Sequence, residues 1–372
     1  MTRYMWWFTA IVAGSFFIAL LSRFIPMRRP NGLRTDPLPN PIGFLIPAAA
    51  FAIFSGLRIN IGDTGSYVHS YRLAVENSAS IEPIPFRIAG NAMFGFLQNR
   101  LIMRSDEPYT LIMVMSILAV VPVVYILYKY SAPYELAIAL FVLTGYYMFS
   151  MNGIRQYAAA GILMLGTKFL FSEKKTDLLF YLPFVLLAWT FHSSALIMIP
   201  IYFIVRRRSW SPFTIALLLG TVILTLAFNS VLPTFLDALE NTDYNTYAEN
   251  GWFTSGTETG SNFIRVIVLA VPLVLSFLWR DRLNMMLGKK WDILVNLSVL
   301  NLAFYILSLY NWIFARLAIY TSAYVIIMMV HLLSKGARPK DRSLWYTAMV
   351  GMYIVYFTFA SYAITGYRSE LY

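Results

Sequence analysis

An arginine, an asparagine and a glutamine interrupt an otherwise apolar stretch at Ser150-Met151-Asn152-Gly153-Ile154-Arg155-Gln156. Pro133 to Phe149 before them and Tyr157 to Phe171 after them read as membrane spans, so the polar group sits where two spans meet. A charge at membrane depth costs at least ~2.5 kcal/mol on insertion scales, and a guanidinium does not shed its proton there. Arg155 therefore requires water or an anionic partner. Asn152, Arg155 and Gln156 fall within about one helical turn, so their side chains can converge on one anion such as a phosphate. A lipid headgroup held by a snorkelling arginine is the plainer alternative.

Other polar residues invite the same question. Arg58 and Asp63 follow the apolar run Ile42 to Leu57, and as a simple ion pair they would only close a loop. His192, in Phe191-His192-Ser193-Ser194, breaks the run Leu178 to Val205, which exceeds the ~20 residues of one simple span. Two half-helices meeting at the histidine would use that length, and broken helices at membrane depth line cavities; a histidine satisfied by Ser193 is the structural alternative. Arg265 and Arg316 each open a span, as anchors or as further anion contacts.

The elements that must position these residues are membrane helices. Hydrophobic residues make up 59% of the 372 and charged residues 13%, and the mean hydropathy is +0.62, far from the balance of a soluble domain. The aromatic content of 17% suits interfacial belts first and sugar-stacking platforms second. The absence of cysteine excludes disulfide and thiolate chemistry, and three scattered histidines form no recognisable metal motif. The net charge of +11 resides in short loops between apolar runs, where it reports topology rather than nucleic-acid binding.

Walking the chain with basic clusters inside gives a consistent topology. Met5 to Leu21 lacks the cleavage site of a signal peptide and reads as an uncleaved span. Phe86 to Met103, interrupted by Arg87, Asn91, Gln98, Asn99 and Arg100, reads as interfacial or re-entrant. Two polar stretches, 58–85 and 229–261, read as extracytoplasmic loops. The expected fold is all-α: one polytopic membrane domain over 1–372, with about 10–12 transmembrane helices and re-entrant or broken segments. Arg58, Asp63, Asn152, Arg155, Gln156, His192, Arg265, Arg316 and Arg368 then share the outer side. Arginines gathered on one face, with no metal motif, are expected to bind a highly anionic group such as a lipid diphosphate without a divalent ion.

Met151-Asn152-Gly153-Ile154-Arg155-Gln156, followed by Phe191-His192-Ser193-Ser194-Ala195-Leu196, resembles the EpsG family of bacterial exopolysaccharide proteins. Arg58 to Tyr67 looks like that family's first-loop motif, and Phe314-Ala315-Arg316-Leu317-Ala318-Ile319-Tyr320 like its late arginine-tyrosine motif. The resemblance implies a Wzy-like polymerase similar to GT-C glycosyltransferases. Such an enzyme is multi-pass in the bacterial cytoplasmic membrane. At the outer face it joins oligosaccharide repeat units carried on undecaprenyl diphosphate, needing no cofactor, within a pathway that includes a flippase and a chain-length regulator.

Carried onto this sequence, the resemblance makes Arg155 and Arg265 stabilisers of the departing diphosphate, with Arg58, Asn152, Gln156, Arg316 and Tyr320 as further phosphate or sugar contacts. His192 or Asp63 would take the acceptor's proton. A transporter or flippase of lipid-linked saccharide shares the broken segment and the cationic site. It would want repeated halves and a membrane-embedded carboxylate, and neither is discernible. A membrane O-acyltransferase would rest on His192 alone.

Overall fold

The computed structural model describes residues 3–26, 37–77, 82–174, 176–239, 249 and 262–360. Helices account for the regular structure, and no strand occurs among the described residues. In chain order they are α1 (Arg3–Ser22), α2 (Ile42–Gly56), α3 (Thr64–Glu76), α4 (Ala92–Ile102), α5 (Tyr109–Tyr130), α6 (Tyr134–Leu143), α7 (Tyr146–Phe149), α8 (Ile154–Leu165) and α9 (Thr167–Leu170). They continue with α10 (Asp177–Phe191), α11 (Met198–Ile204), α12 (Pro212–Leu226), α13 (Phe228–Leu239), α14 (Phe263–Leu278), α15 (Arg280–Leu287), α16 (Lys289–Leu307), α17 (Ala315–His331) and α18 (Arg342–Ala360).

Among the described residues, four helical stretches can cross a membrane by length and composition: Met5–Ser22, Tyr109–Tyr130, Lys289–Leu307 and Trp312–Gly336. Two bent pairs raise the number to six: α12 with α13, bent by 85°, and α14 with α15, bent by 78°. Four shorter apolar helices accompany them. The protein is thus an all-α, polytopic membrane protein with broken segments. Several stretches that read as single spans are divided: Pro133 to Phe149 at Thr144-Gly145, and Tyr157 to Phe171 at Gly166. Leu178 to Val205 is broken at His192, as its length and polar centre predict.

The two expected loops need correction. Residues 58–85 contain α3, and 229–261 begins with α13, where Phe228, Leu232 and Leu236 recur on one face and pack on Ile313 and Phe314. Helices of 13 and 12 residues are each shorter than the ~20 of a simple span, so a search for spans passes over them. Most of 240–261, like Arg368, lies outside the described residues. The segment Phe86 to Met103 reduces to the 11-residue α4, which at 1.5 Å per residue is about 17 Å long, roughly half the hydrocarbon thickness.

The described chain divides into two compact units, Met1–Pro200 with Met329–Tyr372, and Ile201–Met328. In the first, α5 is the central rod. Its 22 residues reach about 33 Å, and Leu111, Ile112, Met115, Val120, Val123 and Val124 are wholly buried against α2 and α8. On α8, Ala158 and Gly161 lie three apart on one face, small residues that let two membrane helices approach closely. An ion pair from Arg23 to Glu135, 2.6 Å, ties the end of α1 to the start of α6. In the second unit α16 is central, buried along Ile293 to Val299 and flanked by α12 and α14. Asn301 donates to the Ala318 carbonyl and to the Thr321 and Ser322 hydroxyls, fastening α16 to α17.

A Cβ on Gly161 would run into the Leu118 carbonyl oxygen of α5, whereas one on Gly220 of α12 would meet nothing. Gly161→Ala is expected to destabilise the protein by ~1–3 kcal/mol through overpacking. Gly220→Ala should be neutral or raise stability by up to ~1 kcal/mol through helix propensity. Thermal unfolding of the two variants in one detergent measures the contrast.

Candidate functional site

The site of the first unit grows from a buried arginine. Arg58, just past α2, has no exposed surface. Its Nε donates to Thr64 Oγ1 at 2.9 Å, and one terminal nitrogen donates to the Ser55 carbonyl at 2.5 Å and to Ser116 Oγ of α5 at 2.9 Å. Arg58 is therefore not the ligand contact expected from sequence. Its hydrogen bonds hold the chain's own turn between α2 and α3, consistent with the rule that a buried charge must be bonded.

That turn delivers Asp63. Its Oδ2 accepts from the Gly153 N–H at 2.9 Å, so a carboxylate from the first loop caps the start of α8. Burial pushes the Asp63 carboxyl above its ordinary value of 3.8, and outweighs the opposing pull of Arg58 and of the Gly153 and Ile154 N–H groups. Oδ1 is enclosed and has no hydrogen-bond partner. The cap requires close approach: Gly62 has φ +59°, and a Cβ there would stand 2.6 Å from Asn152 Cβ. Only glycine meets both demands.

With α8 so anchored, its first turn presents Arg155 and Gln156. Arg155 is half-buried, its guanidinium 4.9 Å above the Phe94 ring of α4, and its Nε is enclosed without a hydrogen-bond partner. A cation–π contact of this kind stabilises by ~0.5–2 kcal/mol and leaves the fork of N–H donors to other partners. Gln156 is buried and donates to Ser194 Oγ at 3.3 Å. Asn152 is exposed at the mouth of the same turn.

His192 ends α10 in an extended conformation and opens the turn Ser193–Ile197. Its Nδ1 accepts from the Ser194 N–H at 3.3 Å and lies 2.7 Å from Ser194 Oγ. With Nδ1 accepting, the hydroxyl donates to it as well, and the ring proton of the neutral form is assigned to Nε2. The nitrogen of His192 able to take a proton is thus occupied by Ser194. The start of α4 also docks on this break: Asn91 Oδ1 accepts from the Ser193 N–H at 3.2 Å, and its own N–H donates to the Trp189 carbonyl at 3.2 Å.

Asp63, Asn152, Arg155, Gln156 and His192 are thus brought together in one unit, joined by direct bonds between stretches far apart in sequence. Asn91, Phe94 and Ser194 were missed as site residues. Asn91 and Phe94 sit in a segment that signalled only its uncertain depth, and Ser194 was passed over beside His192. Arg265, Arg316 and Tyr320 belong to the second unit. Arg265 lies 5.1 Å over the Tyr305 ring and Arg316 lies 5.1 Å over Trp312, both half-buried, and Tyr320 is buried in α17. Both arginines open helices beside the turn between α16 and α17, so they occupy one end of that unit. Among the described residues no group of His, Asp or Glu has the spacing to hold a metal ion.

Fold and site define a polytopic membrane protein with an arginine-bearing site built where helices break. The EpsG family model matches residues 42–371, and the chain belongs to the EpsG family. That membership supports a role as an exopolysaccharide-related polymerase. No curated protein and no solved structure matches the chain.

The cap can be tested apart from chemistry. Asp63→Ala is expected to lower stability by about 1 kcal/mol, the usual worth of a helix cap. Asp63→Asn, whose amide oxygen can still accept from Gly153, should stay within a few tenths of wild type. Denaturation midpoints of the two variants decide the matter.

Proposed function

We propose that the protein is a polysaccharide polymerase of the bacterial cytoplasmic membrane. It transfers a growing glycan from undecaprenyl diphosphate to a hydroxyl of an incoming lipid-linked repeat unit at the outer face. The observation that carries this reading is the convergence of three motifs that match the family. The first loop reaches the second through Asp63 and Gly153 at 2.9 Å, and the second reaches the third through Gln156 and Ser194 at 3.3 Å. Bonds across 90 and 38 residues of chain indicate that the motifs serve one place.

The chemistry asks little of a metal. A lipid diphosphate is already a good leaving group, so positioning and charge stabilisation supply most of the acceleration. Arg155 is the group best suited to the departing diphosphate, because it is partly exposed and always charged, and its Nε has no hydrogen-bond partner among the described residues. Asn152, exposed on the turn before it, is proposed as a further donor, and His192 as a positioning or donor group of the same unit. Arg265 and Arg316 are proposed to bind phosphate or sugar within the second unit, with Tyr320 on the same helix as Arg316. Arg58 acts at one remove, by holding Asp63.

For the acceptor's proton the geometry favours Asp63 over His192. The histidine's Nδ1 already receives two hydrogen bonds from Ser194, whereas Asp63 is part-exposed and burial raises its proton affinity. Direct displacement with Asp63 as base would invert the anomeric carbon. Membrane lipids surround the enzyme, and a flippase and a chain-length regulator are its proposed pathway partners.

The decisive experiment supplies undecaprenyl-diphosphate oligosaccharide to protein reconstituted in lipid and resolves the products on a gel. Wild type is expected to give a ladder, and Arg155→Ala to lose about 2–4 kcal/mol of transition-state stabilisation, hence a hundredfold or more in rate. Asp63→Asn should keep the fold yet lose activity. As the base must be ionised, wild-type turnover should fall as pH drops through the raised Asp63 pKa, at a higher pH than 3.8. Substrate that crosses the bilayer without lengthening would replace the polymerase with a transporter.

A further inference from the structure

The far end of the second unit carries a feature that glycan transfer does not use. At Trp279 the chain turns by 78° from α14 into α15, so a helix that follows a membrane span runs across the axis of that span. Leu283 is fully buried beneath α15, against α16, while Met285 is 83% exposed, Met286 50% and Leu278 66%. Exposed apolar residues beside Arg280 and Arg282 make an amphipathic surface helix rather than a buried one.

Further cations converge there. Lys289 and Lys290 open α16 directly after α15. The loop after α11 is pinned to the same end: Ser209 donates from its N–H and hydroxyl to Asp292 at 2.8 and 2.6 Å, and Asn296 donates to the Val205 and Arg207 carbonyls at 3.1 and 2.7 Å. Trp210 packs on Phe277 of α14, ring centroids 5.3 Å apart. Arg207 and Arg208 are thereby held exposed beside the α14–α15 bend. Among the described residues of this end, Asp292 is occupied by Ser209, and Asp281 lies 3.8 Å from Arg280 while being 90% exposed, too open to neutralise the group.

We propose that this end of the second unit is a docking surface for anionic phospholipid headgroups. The α15 helix lies in the headgroup plane, Met285 and Met286 enter the acyl boundary, and Arg207, Arg208, Arg282, Lys289 and Lys290 bind the phosphates. The charge complementarity and the bend at a span end select this occupant. A soluble acidic partner would engage the cations but leave the methionines in water.

The chain has no cysteine, so Met285→Cys creates a unique attachment point for a fluorophore in the full-length protein. The label is quenched by brominated phosphatidylglycerol or brominated phosphatidylcholine in reconstituted vesicles, and separately by aqueous iodide. Phosphatidylglycerol is expected to quench preferentially. The preference should drop about fivefold for each cation replaced, as in Arg208→Gln or Arg282→Gln, in keeping with the usual attraction per cation near an anionic surface. The same loss on raising ionic strength, with no cation replaced, covers a variant that fails to fold. Equal quenching by the two lipids, a preference indifferent to salt, or quenching by iodide alone would overturn the proposal. None of these outcomes depends on whether the protein polymerises glycan.

Discussion

A guanidinium with no exposed surface at the end of an apolar helix is the constraint on which the first unit depends. Left unbonded, Arg58 would cost several kcal/mol, so the chain around it supplies hydroxyl and carbonyl oxygens from Ser55, Thr64 and Ser116. Binding Thr64 fixes the turn that holds Asp63. Asp63 then takes the Gly153 N–H, and the cap sets where α8 begins and hence which face of its first turn carries Arg155 and Gln156. Gln156 passes the constraint to Ser194 and through it to His192. One buried charge thus orders three breaks in the membrane helices.

Much of this was legible in sequence, because hydropathy and broken periodicity are local properties. The break at His192 follows from an overlong apolar run with a polar centre, and the meeting of spans at Asn152 to Gln156 from charge among hydrocarbon. What a residue faces is not local. Arg58 reads like Arg155, an arginine at a span end. Its role turned on Ser116, 58 residues away on another helix, where a small hydroxyl at the right depth absorbs the donor. The helices α3 and α13 escaped for a different reason: at 13 and 12 residues each is too short to read as a span, and polar residues interrupt both.

Polar atoms within the two units differ in whether the described residues satisfy them, and unmet ones occur in the scaffold, as at Glu135, Trp210 and Trp291, as well as in the site. A polar side chain inside a span is a functional hypothesis by default. Yet Asn301 spends its amide on three oxygens of α17, and Asn296 spends its amide on two loop carbonyls. These are interhelical fastenings, with nothing left over for a ligand. Arg155 and Asp63 differ. Each keeps one enclosed polar atom that no neighbour meets, although amides and hydroxyls stand all around them. Native proteins seldom leave such atoms unmet, since each costs ~1–3 kcal/mol.

The unmet atoms of Arg155 and Asp63 are chemically opposite, which supports the proposed reaction over mere binding. Arg155 Nε is a donor bearing positive charge; Asp63 Oδ1 is an acceptor whose proton affinity burial has raised. A bound anion would satisfy the first and be repelled by an ionised second. Under the proposed transfer a departing diphosphate together with an acceptor hydroxyl would satisfy both, the hydroxyl giving its proton to the carboxylate as negative charge grows beside the arginine. Burial of Asp63 assists in that sequence: a carboxylate disfavoured when ionised gains more by taking the proton. His192, locked by Ser194 with Nδ1 engaged, fits the complementary part of a fixed donor, which needs orientation more than basicity.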